Sequence, residues 1–111
     1  MRVDTELELC KMKKNALGNL VSYQEDSVVS KEILKKAKGT ITLFAFDKGQ
    51  GLSAHTAPFD AFVYILDGQA EVTIAGSAYR VTCGEMIIMP ANKEHSLKAL
   101  KRFKMLLVLL R

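Results

Sequence analysis

Tryptophan is absent from this sequence, and cysteine, proline and histidine occur only twice each. Cys10 and Cys83 stand far apart in unlike contexts, which excludes a Cys-x-x-Cys metal or redox site and a disulfide framework. Cys83 reads as a small buried hydrophobe near a turn. No apolar run approaches the length of a membrane span, and the first twenty residues never assemble the apolar core of a signal peptide, so the expected location is the cytoplasm. A long amphipathic helix is missing too, as are internal repeats, low-complexity tracts and a linker. What remains is a chain whose order must come from strands and turns.

The 111 residues fit one domain, long enough to bury a core without disulfides or a structural metal. Sixteen Lys and Arg against twelve Asp and Glu leave a net charge of +4. The excess lies in Lys11, Lys13 and Lys14, in Lys35, Lys36 and Lys38, and in Lys98, Lys101, Arg102 and Lys104. Apolar strands separate these clusters and none lies on a groove-binding helix, so they read as solvated surface, with neither nucleic acid nor membrane expected as a partner.

Residues 1–26 read as an arm with the first strand or strands, a short helical turn ending near Gly18, and a place at a dimer interface. The barrel proper is expected over 27–111. Val28, Val29, Ile33 and Leu34 suggest a strand with a bend, and Thr40 to Phe46 is a clearer one, rich in β-branched and aromatic residues. Phe62 to Leu66 forms another, ended by Asp67-Gly68, a pair that signals a type I′ hairpin. Gln69 to Ala75 alternates, with Ala70, Val72 and Ile74 on one face. Ala75-Gly76-Ser77 turns the chain into Ala78 to Thr82, where Tyr79 and Val81 share a face. Glu85 to Met89 and Glu94 to Ala99 follow. Phe103 to Leu110 is apolar on both faces, so both should be covered, the second by a partner subunit. Short strands at this spacing predict an all-β sandwich or barrel.

Both histidines belong to segments marked by glycine and proline. His55 lies in Gly49 to Gly68, and His95 in the stretch that begins at Gly84 and contains Pro90. A closed β structure brings such distant residues to one cavity. Gly49, His55 and Gly68 fall where the first motif of the cupin family has Gly, five residues, His-x-His, three or four residues, Glu, six residues, Gly. Gly84, Pro90 and His95 fall in its second motif, Gly, five residues, Pro-x-Gly, two residues, His, three residues, Asn. The chain therefore resembles a small single-domain cupin over about residues 39–110, which implies a jelly-roll β-barrel.

The resemblance also shows departures. Ala57 stands for the second histidine, Ala61 for the glutamate, Asn92 for the last glycine and Ala99 for the asparagine. In the family three histidines and the glutamate bind a divalent metal, so the resemblance implies His55 and His95 as metal ligands in an incomplete set, with Asp60 the first substitute and a divalent transition metal held only weakly. Asp60 turns inward only if a bulge follows Pro58, and Glu94, adjacent to His95, meets the same objection.

The first expectation is a homodimeric barrel that binds a small organic molecule in a cavity lined by His55, Ala57, Ala61 and His95, with no firm cofactor. The alternative is a metal-dependent enzyme, a dioxygenase or isomerase by family analogy, built on His55 and His95. Tyr64 and Tyr79 are candidate acids on the pattern of metal-free cupin epimerases. A sensor role would need a separate DNA reader, because the barrel is expected to fill the chain to its last residue.

Overall fold

The computed structural model describes residues 14–111, so most of the proposed arm lies outside the described residues. Residues 14–26 carry a 3-10 turn at Leu17–Asn19 and no strand. Nine strands follow: β1 (Val28–Lys36), β2 (Gly39–Phe46), β3 (Gly51–His55), β4 (Asp60–Asp67), β5 (Gln69–Ile74), β6 (Ser77–Thr82), β7 (Met86–Met89), β8 (His95–Ala99) and β9 (Phe103–Leu110). They form a five-stranded sheet in the order β1-β2-β9-β4-β7 and a four-stranded sheet in the order β3-β8-β5-β6, with every pairing antiparallel. This is the all-β, single-domain architecture that the short alternating runs predict. Among the described residues no helix is long and apolar enough to cross a membrane.

Alternation carries the core. Along β4, Ala61, Val63 and Ile65 are buried while Phe62, Tyr64 and Leu66 lie on the other face. Along β9, Phe103 and Met105 are buried between the sheets, with Leu107 and Leu109 packed behind them. Val72, Val81, Leu97 and Ala99 answer from the smaller sheet. Phe46 and Phe103 stack at 4.5 Å with an interplanar angle of 8° and fill one end of the sandwich.

The second face of β9 is covered in part by the chain itself. Val21 is buried against Leu43 and Ala45, with Leu20, Tyr23, Leu66 and Leu106 around it. Two polar clamps hold this strap. The Lys104 ammonium donates to the carbonyl of Gly18, and the Tyr23 hydroxyl donates to Asp67. The Tyr23 ring also lies 4.2 Å from the Arg102 guanidinium. Burial, the Asp67 hydrogen bond and its negative charge push the Tyr23 hydroxyl above the ordinary phenol range.

Three local readings need correction. Asp67-Gly68 is not a hairpin turn, because β4 pairs with β7 and β9 whereas β5 pairs with β6 and β8. The chain changes sheets there, and glycine is required because φ is +78° and a Cβ would stand 1.8 Å from the carbonyl oxygen of Arg102. The two-residue hairpin is Ala75-Gly76, with φ of +48° and +85°, between the paired Ile74 and Ser77. Cys83 is exposed, its thiol directed to the Leu66 carbonyl, because it sits on the outside of the β6–β7 turn. β3 was legible only as part of a loop, since Gly-Leu-Ser-Ala-His has little β propensity and is mostly exposed.

Candidate functional site

β3 and β8 lie side by side with His55 opposite His95 in their register. Partners in an antiparallel pair point to the same face, so both imidazoles turn toward the interior of the sandwich. The Nε2 atoms are 3.2 Å apart, and the rings meet edge to face with centroids 4.4 Å apart. His95 is buried, at 7% exposure, whereas His55 sits at the open rim.

The other ring nitrogen of each histidine is fixed by backbone. His55 Nδ1 is 2.8 Å from the Ser53 carbonyl oxygen, and His95 Nδ1 is 3.1 Å from that of Lys93. A carbonyl oxygen only accepts, so both Nδ1 atoms carry hydrogen. In neutral rings both Nε2 atoms are then lone-pair acceptors that face each other without a proton between them. The arrangement is satisfied when a proton, a hydrogen-bond donor or a cation enters the gap.

A cavity of about 160 Å³ opens beside the pair. Ala57 and Ala61 line it with His55 and His95, and its remaining wall is Leu52, Leu97, Met89, Met105, Leu107, Leu109 and the ring of Phe59. Among the described residues, the two histidines are therefore the only polar side chains that line an otherwise apolar chamber. The β9 alternation signalled Leu107 and Leu109; nothing in the local pattern signalled Phe59 or Met89.

The proposed substitutes lie elsewhere. Asp60 is exposed, and its Oδ1 accepts the Ala91 N–H at 2.9 Å. β4 and β9 pair regularly from Asp60 to Ile65, so no bulge turns that carboxylate inward. Glu94 is exposed, Tyr64 lies on the outer face of β4, and Tyr79 is 48% exposed; none lines the cavity. Among the described residues no group of three or more His, Cys, Asp or Glu is placed to hold a metal ion. Two imidazole nitrogens fall short of the roughly three protein ligands of a catalytic zinc site and of the two-histidine, one-carboxylate set of non-haem iron. The donor set among the described residues does not fit a resident metal held by those residues alone.

A family model described as "Cupin domain" matches residues 42–109. Among solved structures, the chain is similar to a conserved protein of unknown function from Streptococcus pyogenes, with 40% identity and a TM-score of 0.86, over 89% of this chain and 87% of that one. It is similar to a cupin 2 conserved barrel domain protein from Leptotrichia buccalis at 38% identity and a TM-score of 0.82, covering 85% of this chain and 46% of that one. A cupin superfamily protein from Desulfitobacterium hafniense aligns at 28% identity with a TM-score of 0.84, over 88% of this chain and 90% of that one. No curated protein matches the chain.

Proposed function

The chain belongs to the cupin-domain family, and within it we propose a binding module whose barrel cavity takes a small organic molecule, the family's metal site being partly lost. One observation carries this reading: two fixed Nε2 acceptors converge at the head of an otherwise apolar chamber. A ligand that presents an O–H or N–H to the pair from the cavity side gives these acceptors the donor they lack, while its apolar part replaces water along Leu97, Leu107 and Met89. Size sets the class. An apolar cavity of about 150 Å³ holds benzene, so the buried part of the ligand is one small ring or a short branched chain.

The test is to denature untagged protein purified without added ligand or metal, identify released small molecules by mass spectrometry and measure metals in the same sample. The expected result is an organic molecule retained by the native chain and lost from a His55→Ala, His95→Ala double variant, with metal below stoichiometry. Metal at full occupancy, lost in the same double variant, would replace this reading with the metal-dependent enzyme, because a further ligand would then have to complete the two imidazoles.

The partner is a second copy of the chain. Beyond the strap, the outer face of the five-stranded sheet carries the row Ile41, Val108, Phe62 and Ile88 across four strands, flanked by Met86 and Leu110. Ile88, Met86 and Leu110 are 45%, 47% and 54% exposed, a contiguous apolar surface suited to an isologous contact. A dimer by light scattering at micromolar concentration, converted to monomer by Ile88→Lys, is the expected outcome. A monomeric native chain would overturn it.

A further inference from the structure

A second concavity, of about 380 Å³, adjoins the mouth of the histidine cavity, and Phe59 and Leu109 line both. The strand registers show how the two connect. Ala61 pairs with Leu109, Leu109 with Thr40, and Thr40 with Lys35, which makes one cross-strand row on the concave face of the larger sheet. It runs from the cavity wall to Lys35 at the outer edge. Lys36 and Arg111 complete the groove, and the Arg111 guanidinium lies 4.5 Å from the centre of the Phe59 ring.

Among the described residues the charged side chains that line this groove are Lys35, Lys36 and Arg111, all cationic, and no side-chain carboxylate of those residues forms an ion pair with any of the three. The nearest acids on these strands are otherwise placed. Glu32 lies one row further along β1, opposite Thr42, and the Asp60 carboxylate accepts the Ala91 N–H. The cation–π contact with Phe59 steadies the guanidinium, and among the described residues no side-chain acceptor occupies its N–H groups, which suit an oxyanion.

We infer that the cavity ligand is an organic oxyanion whose small apolar body sits below Phe59 beside His55 and His95, while its carboxylate or phosphate lies in the groove against Lys35, Lys36 and Arg111. This rests on the reading of the cavity as a ligand site and adds the charge of the ligand and its direction of entry. The apolar chamber selects by size and the groove selects by charge, so a neutral analogue of the same shape is a poor ligand.

The probes are 3-(4-hydroxyphenyl)propionate and 3-(4-hydroxyphenyl)propanamide, whose phenol O–H serves the histidines and which are matched in shape and different in charge, titrated at low salt while the methyl resonances of Met89 and Met105 are followed by NMR. The propionate is expected to bind more tightly by on the order of tenfold, a preference that shrinks as salt is raised. It should vanish in a Lys35→Gln, Lys36→Gln, Arg111→Gln triple variant that still binds the amide. His55→Ala should weaken both probes together. Equal affinities for the native chain, or a preference that survives in the triple variant, would overturn the inference and leave the cavity reading standing. Failure of both probes to move the methionine resonances would overturn the cavity reading and this inference with it.

Discussion

The two ends of the sandwich are built from the same alternating strands and solve different problems. At one end Phe46 stacks on Phe103, and Val63, Ile65 and Val72 are fully buried in the same core. Outside that end the strap of residues 18–23 adds a second apolar layer over Leu43 and Ala45. At the other end the inward positions are His55, Ala57 and Ala61, the flanking Leu107 and Leu109 are only partly buried, and about 160 Å³ is left open. A chain that needed only stability would fill both ends, since apolar burial contributes about 25 cal/mol per Å². On the proposed reading, the closed end carries the stability and the open one is kept for a ligand.

The largest expected effect comes from breaking the closed end. Phe103→Ala removes half of the stacked pair from a fully buried site and should cost about 3–5 kcal/mol in denaturant unfolding. The equivalent truncation at the open end, Leu109→Ala, removes a partly buried side chain beside existing space and should cost much less. Equal losses would mean that the open end is part of the cooperative core and the division is false.

Two glycines sharpen the contrast at backbone level. Gly68, next to Phe103, combines φ of +78° with a carbonyl oxygen 1.8 Å from the position of a Cβ. Gly68→Ala should therefore cost about 2 kcal/mol or more, because the sheet crossing itself must shift. Gly76, in the hairpin near the histidines, has φ of +85° and nothing within 4 Å of that position. Gly76→Ala should cost about 1 kcal/mol, the conformational part alone. Thermal melts of the two variants measure the difference.

Buried alanines allow a test in which the sign itself differs. Ala70 is fully buried, paired with Ala99 and Val81 in the row of the smaller sheet furthest from the histidines. Ala70→Leu forces extra volume into a closed layer and should destabilise by about 1–3 kcal/mol. Ala61→Leu grows into the cavity instead and should be neutral or stabilising, by up to about 2 kcal/mol, while abolishing binding of 3-(4-hydroxyphenyl)propionate. If both leucines destabilised alike, the cavity would be too constrained to accept even the three heavy atoms that leucine adds to alanine.

Much of this contrast was readable in the sequence, and its unreadable parts share a cause. Alternation in Phe62 to Leu66, Gln69 to Ala75 and Phe103 to Leu110 reports which residues face inward, so the core was legible strand by strand. The spacing around His55 and His95 reported their kinship across forty residues. Pairing between strands was not legible, because register is set by contacts that no local pattern carries; Asp67-Gly68 satisfies the local chemistry of a hairpin and serves a sheet crossing. The cover on β9 was assigned to a partner, but the Val21 strap supplies part of it. Phe59, Lys35 and Arg111 read singly as loop or surface residues, and only the row through Thr40 and Leu109 brings them to the cavity mouth.

The smallest expected effect is the response to acid, and it too belongs away from the cavity. Backbone N–H groups of Asp26 and then Lys48, with the Arg102 charge behind them, hold the Asp47 carboxyl below its usual range. The backbone N–H and hydroxyl of Thr82 do the same for Glu85, whose carboxylate ties the turn around Gly84. A carboxyl depressed in the folded chain binds its proton less readily than in the unfolded one. Its stabilisation is therefore complete above about pH 5 and is lost as the pH falls through the ordinary carboxylate range and below. Both groups are solvent-facing, so screening keeps the contribution below that of any core substitution above. Denaturant midpoints measured from pH 6 down to pH 3 should fall less steeply in an Asp47→Asn, Glu85→Gln double variant than in the native chain. An unchanged slope would move the acid sensitivity to other carboxylates and remove these two turns from the account of the closed end.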